Sequence, residues 1–251
     1  MSKNEIMAVA SLTLQGDRPV QEDHVLLNKE KKIFAVADGF GGPIAGAVVA
    51  KQACEAVRSF LEREAGDLEA TLPFVLRQYF SLAGNVLFNA LIHSNRKVNT
   101  YNKDKNVHEK GGASLLAGFV DGDLLSLANV GVCGACLFRS GKVTDLVIPR
   151  SYKKLCDPGN QGQIQNGSRL MDVPLMALGV HGDLEPEIVE YKIQARDVVL
   201  LHTDGLLDEE KERLATIIDK NLAAGPAVEE AMQTIKNVNR SDNLAAILIH
   251  W

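Results

Sequence analysis

The sequence predicts an α+β fold in which antiparallel sheets are covered by helices. Strand-like runs follow one another through short turns, and such meanders pair antiparallel. Helix-period segments come in two pairs, in the order strands, two helices, many strands, two helices, strand; helices segregated in this way form layers outside the sheets. The composition, 46% hydrophobic and 24% charged over 251 residues, supplies a core of ordinary size. Neither an internal repeat nor a linker-like stretch interrupts it, so residues 1–251 are expected to form a single domain.

Residues 6–15 read as the first strand, broken by Gly16-Asp17-Arg18-Pro19. Gln21-Glu22-Asp23 leads into a second strand at 24–27, and a polar turn joins it to a third at 33–38. This hairpin sets Asp23, near the start of one strand, beside Asp38, at the end of its partner. Two carboxylates so placed repel each other, and a cation between them resolves the repulsion. After Gly42 the period becomes 3.6, with Pro43 suited to a first turn and Val49, Ala53, Val57, Phe60 and Leu61 on one stripe to about Glu64. A second helix is expected from near Thr71, turning Leu72, Val75, Leu76, Tyr79, Ala83, Val86 and Ala90 inward. Residues 95–110 read as a polar surface connection.

Two hairpins follow, 113–120 with 124–130 and 135–139 with 142–148. Residues 149–174 hold too many turn formers for regular structure; such stretches in compact domains are usually functional or mobile. Strands at 188–193 and 198–202 flank a short turn, and the second ends in Thr203-Asp204-Gly205. A helix with Leu214, Ile217 and Ile218 inward comes next, then one after Gly225-Pro226 with Val228, Met232 and Ile235 inward. Arg240-Ser241-Asp242-Asn243 precedes a last strand at 244–250.

The net charge of -5, with no basic stripe, argues against nucleic acid as a partner. The start lacks the apolar run of a secretory signal, and no segment has the roughly 18 apolar residues of a membrane span. Four cysteines in a chain of this size make no disulfide scaffold, so a cytoplasmic protein is expected.

Four acidic positions share one grammar: Glu22-Asp23 before a strand, Asp38-Gly39 after one, Asp204-Gly205 after one, and Asp242-Asn243 before one. They offer oxygen ligands with no histidine or thiolate nearby, which suits Mg²⁺ or Mn²⁺ rather than zinc or copper. Carboxylates meeting at one sheet edge could hold two ions about 4 Å apart and activate a water between them. Gly39 can present its carbonyl without a side chain in the way. Arg18, a few residues before the acidic pair, could grip a phosphate bidentately.

These elements resemble those of the metal-dependent protein phosphatases (PPM, type 2C) in their bacterial form, in family order along nearly the whole chain. The Arg-x-x-Asn-Glu-Asp pattern is similar to Arg18–Asp23, with Gln21 in place of Asn. Val-x-Asp-Gly-x-Gly-Gly corresponds to Val36–Gly42, Gly-Thr/Ser-Thr to Gly112-Ala113-Ser114, and Ala-Asn-Val-Gly to Ala128–Gly131. Ala-Leu-Gly falls at Ala177–Gly179, Thr/Ser-Asp-Gly at Thr203–Gly205, and Asp-Asn at Asp242-Asn243. The resemblance implies a four-layer α-β-β-α sandwich with metals at one end of two central antiparallel sheets. It implies that Asp23, Asp38, Asp204 and Asp242 bind two Mn²⁺ or Mg²⁺ ions directly or through water, with Gly39 giving its carbonyl and Glu22 binding through water. Arg18 would hold the substrate phosphate, Asp38 and Asp204 would serve catalysis, and Asn243 would play a secondary part. The implied reaction is attack of a metal-bridging hydroxide on phosphoserine or phosphothreonine, with no phosphoenzyme. A monomer acting on phosphorylated proteins in signal transduction, opposite a Ser/Thr kinase and away from membranes, follows from the same resemblance.

Two positions depart from the family. Val132 stands where an Asp associated with a third ion is usual, so that ion should be weakened or lost. Phe40 stands where eukaryotic members often carry histidine, which excludes a histidine acid there, although bacterial members often have methionine. The 141–177 region, where the family often has a helical flap, looks shortened. These departures motivate an alternative, a catalytically weak or inactive pseudophosphatase that acts as a regulatory binding protein. A two-metal hydrolase of another phosphoester, small molecule or nucleotide, is a further alternative.

Cys133-Gly134-Ala135-Cys136 has neither a redox nor a zinc context and reads as two small buried residues on opposite strand faces. Gly39-Phe40-Gly41-Gly42 lacks the Lys-Ser/Thr of a P-loop. None of the six histidines shows ligand spacing, though His202 lies near Asp204. Asp208-Glu209-Glu210 is expected to complement a helix dipole.

Overall fold

Apolar runs bounded by turn formers build two five-stranded antiparallel sheets in the structure, a computed structural model that describes residues 5–42, 44–64, 75–152, 173–220 and 223–251. The strands are β1 (Ala8–Leu14), β2 (Asp23–Asn28), β3 (Ile33–Gly41), β4 (Gly111–Asp121), β5 (Leu124–Val130), β6 (Gly134–Arg139), β7 (Lys142–Val147), β8 (Glu187–Lys192), β9 (Val198–His202) and β10 (Leu244–His250). One sheet runs β1-β10-β9-β6-β7 and the other β2-β3-β4-β5-β8. The helices are α1 (Ala45–Glu64), α2 (Leu82–Asn102), α3 (Asp208–Lys220) and α4 (Ala224–Lys236).

Three apolar layers hold four structural ones together. Between the sheets lie Phe34, Val36, Leu116, Leu127, Leu201 and Ile247. Outside the second sheet, α1 and α2 bury Val49, Val57, Leu87 and Leu91 against Ala35, Leu115 and Ala117. Outside the first sheet, α3 and α4 bury Leu214, Val228, Met232 and Ile235 against Phe138, Leu200 and Leu248. Fully burying each such Leu, Ile or Phe contributes about 1.5–3 kcal/mol, and these layers set the sandwich. The expected α-β-β-α architecture is therefore what is found. Among the described residues no helix is long and apolar enough to cross a membrane.

Several expectations are corrected. The second helix begins at Leu82, not near Thr71, with Ser81 accepting from Gly84 N as its N-cap. Val75 and Tyr79 do not turn inward but are 91% and 73% exposed, and Leu76 is exposed too; Thr71 and Leu72 lie outside the described residues, as does Pro43. The same helix runs on to Asn102, through much of the stretch expected to be a surface connection. Its buried asparagines disguise it: Asn95 Oδ1 accepts from Gly179 N at 2.9 Å, and Asn102 bonds both N and O of Gly111 at 3.1 and 2.7 Å. Strand β3 does not stop at Asp38 but continues to Gly41, because Phe40 and Gly41 still pair with Gly112 and Gly111. Gly225 and Pro226 lie inside the first turn of α4 rather than before it. Of the 149–174 stretch, the described ends are joined, with Leu175 N donating to Arg150 O and Tyr152 N to Val173 O; residues 153–172 lie outside the described residues.

Candidate metal centre

The register of the β2–β3 hairpin sets Asp23 directly opposite Asp38. Side chains so paired share a face, with Cβ atoms about 5 Å apart. This is the juxtaposition expected from the sequence, now placed within the strands. Sheet-to-sheet packing brings the end of β9 and the start of β10 to the same end of the sandwich. Thr203 ties them together: its hydroxyl donates to Asp23 Oδ2 at 2.6 Å and accepts from Ala245 N at 2.9 Å.

The rest of the site is held by close backbone contacts. Gly39 N donates to Glu22 O at 3.2 Å, and a Cβ on Gly39 would drive into Gly46 O and come within 2.8 Å of Glu22 O. Only glycine allows α1 to seat this deeply. Glu22 N donates to Asn243 Oδ1 at 2.8 Å, and Asn243 Nδ2 donates to Gln15 O at 2.7 Å. Asn243 is thus a clamp between the loop that carries the acidic pair and the start of β10. Gln21 takes up Asp23 N through its own amide oxygen at 2.8 Å, so the departure from Asn leaves a side chain that still organises this loop.

Negative charge accumulates here, and Asp38 is raised by four acidic neighbours at once. Burial, then Asp204, Asp23, Asp242 and Glu22, push the Asp38 carboxyl well above the usual carboxylate range. Burial also raises Asp23, to about 7, against the Thr203 hydrogen bond that favours its anion. Glu22 is raised by burial more than Arg18 lowers it. Ser114, opposite Asp38 on β4, has a buried hydroxyl with no partner among the described residues. Clustered hard oxygen donors whose anionic forms are disfavoured, beside an orphaned hydroxyl, fit divalent cations such as Mn²⁺ or Mg²⁺.

Arg18 stands at the rim, half exposed, and forms a bidentate pair with Asp242: Nε to Oδ1 at 2.8 Å and Nη2 to Oδ2 at 2.7 Å. Among the described residues no three His, Cys, Asp or Glu side chains form a ready-made ligand cage; Asp242 and Asp23 are engaged by Arg18 and Thr203 instead. All six expected ligand positions, Glu22, Asp23, Asp38, Gly39, Asp204 and Asp242, nevertheless lie on strands or strand ends that meet here. Val132 is buried at 4% exposure and offers no ligand. Cys133 packs between the sheets and Cys136 against the outer helices, as two structural residues.

Sequence reasoning missed Thr203 as a support, and it missed the pair Arg240 and Glu210. Glu210 was expected only to complement a helix dipole; it is buried and receives the Arg240 guanidinium at 3.0 Å. An acidic residue at i+2 of an exposed-looking run gives no sign that it turns inward.

A family model described as stage II sporulation protein E (SpoIIE) matches residues 164–251. No curated protein matches the chain. Solved structures match over nearly all of it at low identity. The serine/threonine phosphatase PstP/Ppp of Mycobacterium tuberculosis has 19% identity and a TM-score of 0.76, with 98% of each chain covered. The catalytic domain of PstP in complex with two manganese ions has 21% identity, a TM-score of 0.74 and the same coverage. PppA, a regulatory component of T6SS in Pseudomonas aeruginosa, has 23% identity, a TM-score of 0.73 and 97% coverage of each chain. The chain therefore has the fold of the bacterial PPM serine/threonine phosphatases over nearly its whole length, which is the fold that the resemblance of its motifs implied.

Proposed function

We propose that residues 1–251 form one active two-metal phosphoprotein phosphatase domain that hydrolyses phosphoserine or phosphothreonine. The observation that carries this reading is the Asp23–Asp38 register pair, with both carboxyls raised by burial and by their acidic neighbours. Asp23, Asp38, Asp204 and Asp242 would hold two Mn²⁺ or Mg²⁺ ions, with the Gly39 carbonyl and, through water, Glu22. When bound, the ions supply a nucleophile from water at neutral pH and offset charge on the phosphoryl oxygens. Val132 adds no carboxylate, so two ions rather than three are proposed.

Arg18 provides the phosphate grip. Its guanidinium has five donors, two of them on Asp242, and its place at the rim suits a phosphate approaching from solvent. Thr203 and Asn243 hold the ligand-bearing loops, and Phe40 supplies no proton. The leaving alcohol would then take its proton from solvent rather than from a histidine. The PstP structure contains two manganese ions, which supports the same ion count here. Substrates would be phosphoproteins made by a Ser/Thr kinase, met by a monomer in the cytoplasm as part of signal transduction.

The test compares turnover of a phosphothreonine peptide, p-nitrophenyl phosphate and a nucleoside monophosphate with Mn²⁺, then with EDTA. Preference for the peptide and loss of turnover in EDTA are expected. Activity that survives EDTA contradicts the reading, and preference for the nucleotide replaces it with a small-phosphoester hydrolase.

A further inference from the structure

Behind the candidate centre lies a buried ion pair that takes no part in holding metal or phosphate. Arg240 and Glu210 are 7% and 3% exposed. Arg240 Nη2 donates to Glu210 Oε1 at 3.0 Å and to Ile235 O at 2.7 Å; Nη1 donates to Gly205 O at 2.9 Å. Glu210 Oε2 in turn accepts from Leu207 N at 2.9 Å. One guanidinium thereby fastens the turn after Asp204 to α3 and to the end of α4.

The backbone of Arg240 fastens a second part of the site. Its carbonyl accepts from Asp17 N at 3.1 Å, beside Arg18. Gly16, at φ +60, packs on the Arg240 and Asp242 carbonyls, and a Cβ on Gly205 would run into Asn243 O. Three pieces of the centre, the Arg18 loop, the Asp204 turn and the Asp242-Asn243 stretch, therefore converge on one residue. A buried ion pair is weak evidence for stability, because apolar residues of similar volume are often neutral or stabilising in its place. Arg240 even leaves its buried Nε without a partner among the described residues. What the pair supplies is therefore geometry rather than packing.

We infer that the Arg240–Glu210 pair positions the centre: its guanidinium holds the turn after Asp204 against α3 and α4, at the residue whose backbone carbonyl holds the loop of Arg18 beside Asp242. The inference rests on the metal reading above. Residues that orient ligands without touching the ion typically change metal affinity by about 10–100-fold.

The experiment measures Mn²⁺ affinity by calorimetry and melting temperature in EDTA for the full chain. The variants are Arg240→Lys and the double Arg240→Met/Glu210→Met. The double variant, with its buried charges removed together, should melt at or above the unaltered protein yet bind Mn²⁺ about tenfold or more weakly. Arg240→Lys keeps the charge opposite Glu210 but cannot span Gly205 O, Ile235 O and both carboxylate oxygens at once. It should keep most of its melting temperature and still lose affinity, which tests the inference even where the double variant misfolds. Mn²⁺ affinity within twofold of the unaltered protein, in either variant when folded, overturns the positioning role and leaves the metal reading intact. No Mn²⁺ binding by the unaltered protein removes both.

Discussion

Asp38 faces four other acidic side chains from a position where burial already opposes its charge. Such a carboxyl destabilises the fold when ionised and stabilises it when a divalent ion sits against it. Two predictions belong at this scale. Asp38→Asn should melt at or above the unaltered protein in EDTA, since it removes a disfavoured anion, and should lose the stabilisation that Mn²⁺ confers; differential scanning fluorimetry with and without Mn²⁺ reads both. The second concerns pH. With the Asp23 carboxyl raised to about 7, the EDTA-treated fold is favoured below the ordinary carboxylate range and loses that advantage as pH climbs toward neutrality. Mn²⁺ needs the anionic form, so its stabilising shift should grow from pH 5 to pH 7.5. A shift that shrinks over this range would place the ion elsewhere. The carboxylates themselves were legible in the sequence because each sits at a strand boundary beside Gly, Asn or another acid. Thr203, Arg240 and Glu210 were not, because their roles depend on contacts across 42 and 30 positions of sequence.

At the scale of elements, α2 shows where periodicity misleads. Apolar residues at 75, 76 and 79 continue the helical spacing upstream, yet Ser81 caps the helix after them. Downstream, Asn95 and Asn102 look like loop residues but bury their amides against the backbone at Gly179 and Gly111. A polar residue serving as the partner of another segment's backbone cannot be told from a solvated one by composition. The strand hairpins were read correctly because their alternation and turn residues are local. Asn102→Ala leaves Gly111 N and O unpaired in a buried place and should lower stability by about 2–3 kcal/mol in urea denaturation. It lies on the helix that packs behind β4 and β5, so Mn²⁺ affinity should change little. A loss below 0.5 kcal/mol would mean that water replaces the amide.

At the scale of the whole molecule, two sheets packed face to face bring the proposed ligands together at one end. Hairpin β2–β3 comes from one sheet and β9–β10 from the other, so the centre exists only when the sandwich is assembled. The order of motifs made the architecture legible before any contact was known, whereas the clamps between loops could emerge only from packing. Of the two departures, Phe40 continues β3 opposite Gly112 and Val132 is buried. The most direct test is hydrolysis of a phosphothreonine peptide across a Mn²⁺ titration, with Asp38→Ala measured alongside. A two-metal phosphatase should show turnover that rises with Mn²⁺ and saturates, and that falls at least about a hundredfold in the variant, as expected when a group acting on the reacting centre is removed. Folded protein that shows no turnover at any Mn²⁺ level, or a variant as active as the unaltered chain, would contradict that reading.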